Sequence, residues 1–377
     1  MYKLRKIAIF LGFIIALGLI FFVSYYLFFP ILKSIDYLLT KSPHLESNKT
    51  QKQDGDISFT DAAFLSLIRD HSLKFLFFGD LMIDRHVKEK INESGLDHLL
   101  SGISDSIKII DYDIISANLE GAVTDGGEHY APANAYDFAF SPNLISEFKK
   151  YGFNSFTIAN NHLADQGERG IIETRKNLSN LDLFYVGCID QQVADCSIDI
   201  IRLHDKIVGL AGYSMVYGVL DEKSMLEQVS YLNSVSDLVI INIHWGTEYE
   251  HYFNSKQQQV GRSLIDAGAD IVIGHHPHVV QGLEIYQNRP IFYSLGNYIF
   301  DQYFSSDTQE GLAVKIELKA QEIVIELIPF FSQMSRPEFL VDENKKRFFK
   351  KFLDWSVIDT KLKSDILNNS IFILNKK

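Results

Sequence analysis

Five histidines stand directly after apolar stretches of the chain, at the ends of predicted strands: His162, His244, His275, His276 and His278. Asp80, Glu120 and Asn161 occupy comparable positions. Imidazole, carboxylate and amide groups together form a ligand set that divalent transition metals prefer. Any one of these residues alone would be explained as a turn or helix-capping residue. Their joint placement predicts a divalent metal site of the Mn, Fe or Zn type.

Two local spacings suggest how these side chains cooperate. His276 and His278 flank a proline, so in an extended segment their rings project to the same side and can reach one metal or two adjacent ones. His275 would then point away, in a supporting or packing role. Asp165 follows His162 by about one helical turn, where it could accept the ring N–H of His162 or cap the next helix.

The elements that must position these side chains alternate along the chain. Apolar stretches predict strands at residues 73–78, 109–117, 154–159, 207–212, 238–243, 271–273 and 290–294. Helical patterns lie at residues 141–151, 168–180 and 255–267. Residues 313–318 and 322–327 predict two antiparallel strands, so we expect an α/β fold with a mixed sheet. Because such sheets bind ligands at the carboxyl ends of their strands, the polar clusters should meet at one edge.

The N-terminal residues predict where this chemistry takes place. Residues 7–29 carry no charge and are long enough to cross a hydrocarbon core of about 30 Å. Lys3, Arg5 and Lys6 precede them, so the N-terminus should stay in the cytoplasm and the remainder should be extracytoplasmic. A cleaved signal peptide is the alternative, but the apolar stretch exceeds the usual length of about 7 to 15 residues and no Ala-x-Ala site follows. We expect an uncleaved, single-pass anchor in the cell membrane.

Composition divides the rest of the chain. Residues 30–72 are polar and predict a tether, whereas residues 73–331 predict one large domain. Residues 332–377 form a C-terminal extension with a helical pattern at 343–357.

The charge balance bears on partners. The net charge is −12, and without the three cations before the anchor 33 cations stand against 48 acids. This excess of acids argues against nucleic acid as a partner, and any acidic ligand must be bound by local positive charge. Cys188 and Cys196 could form a disulfide or remain a free pair.

Six motifs resemble those of one known family. They are Gly79-Asp80 with Arg85, Asn118-Leu119-Glu120, Asn160-Asn161-His162 with Asp165 and Gly167, His244-Trp245-Gly246 with Glu248-Tyr249, Gly274-His275-His276-Pro277-His278 with Gln281, and Ser294-Leu295-Gly296-Asn297 with Phe300. Over roughly residues 73–331 the chain resembles the CapA family of capsule and poly-γ-glutamate biosynthesis proteins, whose extracytoplasmic domain looks like a divergent calcineurin-type metallophosphoesterase. The resemblance implies a four-layer α/β sandwich with mixed sheets, preceded by one transmembrane helix.

The resemblance also implies six metal ligands: Asp80 as a terminal carboxylate, Glu120 as a bridging carboxylate, Asn161 and His244 on one metal, and His276 and His278 as further ligands. His162 would stand where such enzymes place the acid that protonates a leaving group, with Asp165 and Arg85 as the other candidate catalytic residues. One position departs from the pattern. Met82 stands where the Asp-x-His motif has its histidine, and a thioether is a poor ligand for these metals. The departure argues against a complete two-metal site.

Two functions of different classes follow. In the first, the protein is an accessory of poly-γ-glutamate or similar anionic capsule synthesis and export. It would work beside a cytoplasmic amide ligase and small membrane subunits, and its metal and Arg85 would bind polymer carboxylates. The acidic domain opposes binding of a polyanion, although a bound cation would offset this locally. In the second, it is a metal-dependent hydrolase of phosphoester or amide bonds outside the membrane. A structural anchor without a working site is the third alternative.

Overall fold

The computed structural model of the protein describes residues 72–104, 111–131 and 136–375. The predicted membrane anchor and the tether up to residue 71 lie outside the described residues, so both remain predictions. In the part of the chain that is described, no helix combines the length and the apolar character needed to cross a membrane.

The described residues contain seventeen strands: β1 Leu73–Leu81, β2 Ile114–Leu119, β3 Ala122–Val123, β4 Ala139–Phe140, β5 Ser155–Thr157, β6 Phe184–Val186, β7 Ile198–Leu203, β8 Lys206–Ser214, β9 Leu238–His244, β10 Ile271–His275, β11 Leu283–Tyr286, β12 Arg289–Phe292, β13 Asn297–Ile299, β14 Glu310–Leu318, β15 Glu322–Gln333, β16 Arg336–Phe339 and β17 Ile371–Asn375. They also contain seven α-helices: α1 Arg85–Ser104, α2 Pro142–Phe148, α3 Gly167–Asn180, α4 Glu222–Val235, α5 Ser255–Asp266, α6 Asp342–Trp355 and α7 Thr360–Asn369. Short 3₁₀ turns lie at Asp125–Gly127, Lys149–Tyr151, Asp195–Ser197 and Asp307–Gln309.

Two mixed sheets organise the domain. The larger sheet has the order β16-β15-β14-β1-β2-β5-β6, with β13 beside β1 and β17 beside β15. The smaller sheet has the order β11-β12-β10-β9-β8-β7. Central strands β1, β2 and β5 run parallel, as do β8, β9 and β10. The edge strand β6 is also parallel to its neighbour, whereas β14, β11 and β7 are antiparallel to theirs. The predicted hairpin is confirmed, since Leu318 pairs with Ile323 in antiparallel β14 and β15.

The side-chain alternation of the central strands creates a layered core. Phe75 and Phe77 of β1 pack in one apolar cluster with Ile240 of β9, so the two sheets face each other. Leu76 and Phe78 point the other way and pack with α1 and α2. The outer face of β9 packs with α4 and α5. Each such buried side chain contributes about 1.5–3 kcal/mol. The result is a mixed α/β domain with the expected layers of helix, sheet, sheet and helix.

Local sequence sets the ends of α2. Ser141 accepts a hydrogen bond from the backbone N–H of Asn143 at 3.3 Å, and Pro142 occupies the first turn. The helix passes into the 3₁₀ turn Lys149–Tyr151, which ends at Gly152 with a φ of 80°. The helix predicted at residues 141–151 is therefore a short α-helix followed by a 3₁₀ turn.

The C-terminal residues pack into the same core. Strand β15 runs to Gln333, across the predicted boundary, and pairs with both β16 and β17. Phe348 and Phe352 of α6 lie in the apolar cluster between the sheets. The backbone N–H of Val357 donates to the carbonyl of Leu283 in β11 at 2.8 Å. The extension therefore contacts both sheets.

The loop between β6 and β7 is closed by a disulfide bond between Cys188 and Cys196. The backbone N–H of Gly187 also donates to the carbonyl of Cys196 at 2.8 Å. The sequence left the state of these cysteines open, and the structure pairs them.

Candidate metal centre

Strand ends from both sheets supply one buried polar cluster. Asp80, near the end of β1, pairs in register with Asn118 of β2, and Glu120 follows β2 directly. His244 ends β9 and pairs in register with His275, which ends β10. The Nδ1 atom of His275 lies 3.5 Å from Oδ1 of Asp80, so the cluster bridges the two sheets. The expected meeting of strand ends at one edge is what the fold produces.

Asp80 is fully buried and surrounded by hydrogen-bonding groups. Asn118 Nδ2 donates to its Oδ1 at 2.8 Å, and the backbone N–H of His276 donates to its Oδ2 at 3.3 Å. The Nδ1 atom of His278 lies 3.4 Å from Oδ2. Burial disfavours the charged carboxylate, but the His275 and His278 rings outweigh it and hold the pKa of Asp80 well below its usual range. Asp80 is thus an ionised carboxylate at the centre of the cluster.

Glu120 is buried as completely as Asp80, but its pKa shifts in the opposite direction. Asn118 Nδ2 donates to its Oε2 at 3.1 Å, while its Oε1 has no hydrogen-bond partner. The nearest ring nitrogens to Oε1 are Nε2 of His278 at 3.7 Å and Nε2 of His162 at 3.8 Å. Burial raises the pKa of Glu120 to about 7, with the charge of Asp80 adding to the effect and that of His278 opposing it.

His276 and His278 reach the cluster by a different route from the one the sequence suggested. The extended conformation expected for this segment is wrong, since His276 has a φ of 98° and His278 a φ of 58°. Their rings nevertheless face the same place. Ligand atoms of Glu248, His276 and His278 lie within 4.8 Å of one another, as do those of Asp80, Glu120 and His278. His278 therefore belongs to two overlapping donor groups.

The expectation that His275 points away from the site is also wrong. Its ring contacts Asp80, and its Nε2 lies 3.4 Å from Oδ1 of Asn242. The reason is that alternation applies only to extended backbone, and β10 ends at His275.

Three imidazoles of the cluster, those of His244, His276 and His278, differ in protonation. Burial, together with the neighbouring His278, lowers the pKa of His276 to about 4. Burial and His276 together hold the pKa of His244 well below its usual range. Burial acts the same way on His278, but the carboxylates of Glu120 and Asp80 outweigh it and raise the pKa of His278 to about 9. At neutral pH two rings are neutral, as metal ligands must be, and the third carries a proton.

Asn161 and His244, which the sequence assigned to one metal, are in direct contact. The Nε2 atom of His244 lies 2.8 Å from Oδ1 of Asn161. Asn161 Nδ2 donates to the hydroxyl of Tyr217 at 3.1 Å. The rings of His244 and His276 lie 4.8 Å apart between centroids, which places this pair beside the donor groups.

His162 and Asp165 form the pair that the sequence suggested. The Nδ1 atom of His162 lies 2.7 Å from Oδ2 of Asp165. Asp165 also accepts from the backbone N–H of Phe138 at 3.0 Å, and the residue at the N-terminus of α3 is Gln166. Of the two roles left open for Asp165, the structure selects the contact with His162. Because Asp165 holds Nδ1, the Nε2 atom of His162 faces Glu120.

Arg85 lies outside the two groups of donors and contacts the same phenylalanine as His162. Its guanidinium forms an ion pair with Asp301 and lies 4.9 Å from the centroid of the Phe138 ring. The centroid of the same ring lies 4.4 Å from that of the His162 ring. Met82 is fully buried among apolar side chains, and its sulfur accepts a hydrogen bond from the backbone N–H of Asp84 at 3.1 Å.

Two polar residues of the site, Asn118 and Glu248, were not assigned a role from the sequence. Asn118 contacts Asp80 and Glu120, and its own Oδ1 accepts from Asn160 Nδ2 at 3.1 Å. Glu248 is exposed and belongs to the donor group of His276 and His278. Strand alternation could have identified Asn118, which lies two residues before Glu120. Glu248 lies in a loop, where no periodic signal exists.

The cluster fits a divalent metal ion. Glu120 Oε1, His275 Nδ1 and His276 Nδ1 are buried atoms without a hydrogen-bond partner. Such atoms are rare in folded proteins, because an unsatisfied buried polar group costs about 1–3 kcal/mol. Carboxylate and imidazole donors together suit Mn, Fe or Zn, and a bound cation would satisfy lone pairs that the protein leaves unused.

A comparison with protein families gives a clear result. The model described as "Bacterial capsule synthesis protein PGA_cap" matches residues 74–302. The chain belongs to this family. Two PGA_cap relatives are each 29% identical to it: the capsule biosynthesis protein CapA of Bacillus anthracis, over 82% of this chain and 81% of the relative, and the PGA biosynthesis protein CapA of Bacillus subtilis, over 66% and 69%.

Among solved structures, this PGA_cap chain is similar to a protein from Mycoplasma pneumoniae described as a novel phosphatase. The sequences are 14% identical, and the match covers 72% of this chain and 92% of the other, with a TM-score of 0.42.

Proposed function

We propose that this protein is a membrane-anchored, extracytoplasmic component of the synthesis or export of poly-γ-glutamate or a similar anionic capsule polymer. Its metal site would bind carboxylates of the emerging polymer. A cytoplasmic ligase and small membrane subunits would be its partners. The proposal draws on the PGA_cap family and on the names of the Bacillus relatives.

One observation carries the proposal. Two donor groups share His278, and Glu248, in one of them, is exposed to solvent whereas Asp80 and Glu120 are fully buried. A cluster of this form offers a deep side that holds a cation and an open side that a ligand can reach. A divalent cation held there would supply positive charge that attracts a carboxylate or phosphate oxygen.

The chain's own residues would prepare this site for an anion. Asn118 orients both Asp80 and Glu120 through hydrogen bonds of 2.8 and 3.1 Å. Arg85, held by Asp301 and Phe138, adds a fixed positive charge at the phenylalanine that His162 also contacts. Local charge of this kind would offset the net charge of −12, which repels polyanions at long range.

A second candidate function is favoured by His162. Asp165 holds Nδ1 of His162 at 2.7 Å, which leaves Nε2 free to give or take a proton beside Glu120. This arrangement suits a general acid in a metal-dependent hydrolase of phosphoester or amide bonds. The buried thioether of Met82 weighs against a complete two-metal form of that enzyme.

Binding and turnover assays distinguish the two functions. Full-length protein, purified in detergent and supplied with Mn²⁺, should bind fluorescent poly-γ-glutamate and release it on addition of EDTA. His276→Ala should weaken this binding, whereas the matched control His98→Ala, at an exposed position of α1, should not. Binding that survives chelation would contradict the proposal. Hydrolysis of a phosphodiester at about 1 per second or faster, lost in His162→Ala, would instead establish the hydrolase.

A further inference from the structure

Two exposed tyrosines border the donor cluster at different ends. The hydroxyl of Tyr217 accepts a hydrogen bond from Asn161, which contacts His244. The ring centroid of Tyr249 lies 6.2 Å from that of His278. Tyr217 is 73% exposed and Tyr249 is 44% exposed. Both rings therefore face solvent where a ligand would approach the cluster.

Tyr217 is held in place although its side chain is exposed. The carboxylate of Asp190 accepts from the backbone N–H of Val216 at 2.9 Å and from that of Tyr217 at 3.0 Å. Burial disfavours the charge of Asp190, but its hydrogen bonds with the Ser214 hydroxyl and these two backbone groups outweigh that effect and lower its pKa. Asp190 lies inside the loop that the disulfide closes. The segment bearing Tyr217 is thus anchored at its backbone, which gives the ring a defined position.

Tyr249 is held in a conformation that is unfavourable for its residue type. Its φ is 66°, in the left-handed region that costs an ordinary residue about 1–2 kcal/mol. Its backbone N–H donates to the carbonyl of Pro277 at 2.8 Å, next to His276 and His278. Its ring packs edge-on against Phe304 at 5.3 Å, and its hydroxyl accepts from Gln302 at 3.3 Å. Strain of this kind is concentrated at functional sites.

The side chains of Tyr217 and Tyr249 indicate what kind of ligand the cluster binds. A small anion needs only the buried donors, whereas exposed rings gain by covering apolar groups of a longer ligand. A γ-linked glutamate chain carries methylene groups and an amide between successive carboxylates. Ring faces suit the methylene groups, and phenolic hydroxyls can donate to amide carbonyls.

We propose that Tyr217 and Tyr249 are specificity-determining residues that bind the methylene and amide segments on the two sides of a carboxylate held at the donor cluster. This inference rests on the proposed function and names its ligand as an extended anionic polyamide. Both tyrosines would distinguish polymer from monomer, since free glutamate has no amide-linked segments on either side of its carboxylate.

The test compares three probes with the full-length protein in detergent: Mn²⁺ alone, glutamate with Mn²⁺, and poly-γ-glutamate with Mn²⁺. In Tyr217→Ala and in Tyr249→Ala, the ratio of polymer affinity to glutamate affinity should fall about tenfold, which corresponds to about 1.4 kcal/mol. The Tyr217→Phe variant keeps the aromatic ring, so its ratio of polymer affinity to glutamate affinity should stay close to that of the wild type. The matched control Tyr231→Ala, at a 52% exposed position of α4, should leave the ratio unchanged.

The possible failures are distinguishable. Wild-type protein that binds Mn²⁺ but not the polymer contradicts the proposed function itself. Wild-type protein that binds the polymer, with an unchanged ratio in both alanine variants, overturns only the role of the tyrosines. An equal loss of glutamate and polymer affinity also overturns the role of the tyrosines, because it would show that the ring only supports the structure of the site. Displacement of the polymer by a neutral polysaccharide at equal concentration would show that the two tyrosine rings bind sugar instead.

Discussion

His278 and Glu120 shift each other's protonation across the two sheets. The Nε2 atom of His278 lies 3.7 Å from Oε1 of Glu120, and the pair carries pKa values of about 9 and about 7. Without a cation, the His278 ring thus carries a proton at a position that a metal ion would occupy. Loading of the site and release of that proton are the same event.

Metal affinity should therefore rise with pH. The pKa of His278 is raised, so below about 9 a metal must displace its proton, and affinity should increase about tenfold per pH unit. Below about 7 the slope should steepen, because Glu120 must also lose a proton. Titration calorimetry with Mn²⁺ between pH 6.5 and 9.5, in buffers of different ionisation enthalpy, measures the affinity and the protons released. A flat profile would contradict this assignment.

The variant His276→Ala should lower metal content. This ring is neutral at physiological pH, and its Nδ1 is a buried atom without a hydrogen-bond partner. Loss of one ligand typically reduces affinity by at least the 10–100-fold seen for residues that merely support ligands. Elemental analysis of the full-length protein after dialysis measures the bound metal. His98→Ala serves as the control, and equal metal content in both variants would rule out the site as described.

Removal of the disulfide should destabilise the protein. The bond between Cys188 and Cys196 closes a loop with a sequence separation of 8, for which loop-closure entropy predicts a loss of about 2–3 kcal/mol. The double variant Cys188→Ser and Cys196→Ser should unfold at lower urea concentration than the wild type. Addition of a reductant should shift the wild type to the same midpoint and leave the double variant unchanged. Coincident curves for oxidised wild type and variant would show that the bond contributes nothing.

The topology of the chain is a separate prediction from the uncharged residues 7–29. A reporter enzyme that works only outside the cytoplasm should be active when it is fused after Lys377, and the protein should remain in the membrane fraction. Three cations precede the apolar stretch, so their replacement by neutral residues should weaken this orientation. Full-length protein recovered in the soluble fraction, or shortened near Ser24, would contradict the anchor.

Local patterns in the sequence identified much of the fold. The apolar stretch at residues 73–78 marks a central strand, and the two β-rich segments around residue 320 mark a hairpin. The ends of the strands were harder to predict. Strand β2 begins at Ile114, later than predicted, since Asp111 and Asp113 interrupt the apolar stretch before it.

The sequence by itself determined which residues of the site could do chemistry, because polar side chains directly after buried strands are conspicuous and sheet topology carries them to one edge. Only the tertiary structure decided how they act together. It turns His275 towards Asp80, brings exposed Glu248 to His276, and couples Glu120 to His278. Those outcomes depend on left-handed backbone at two histidines and on the stacking of two sheets, neither of which has a local signature in the sequence.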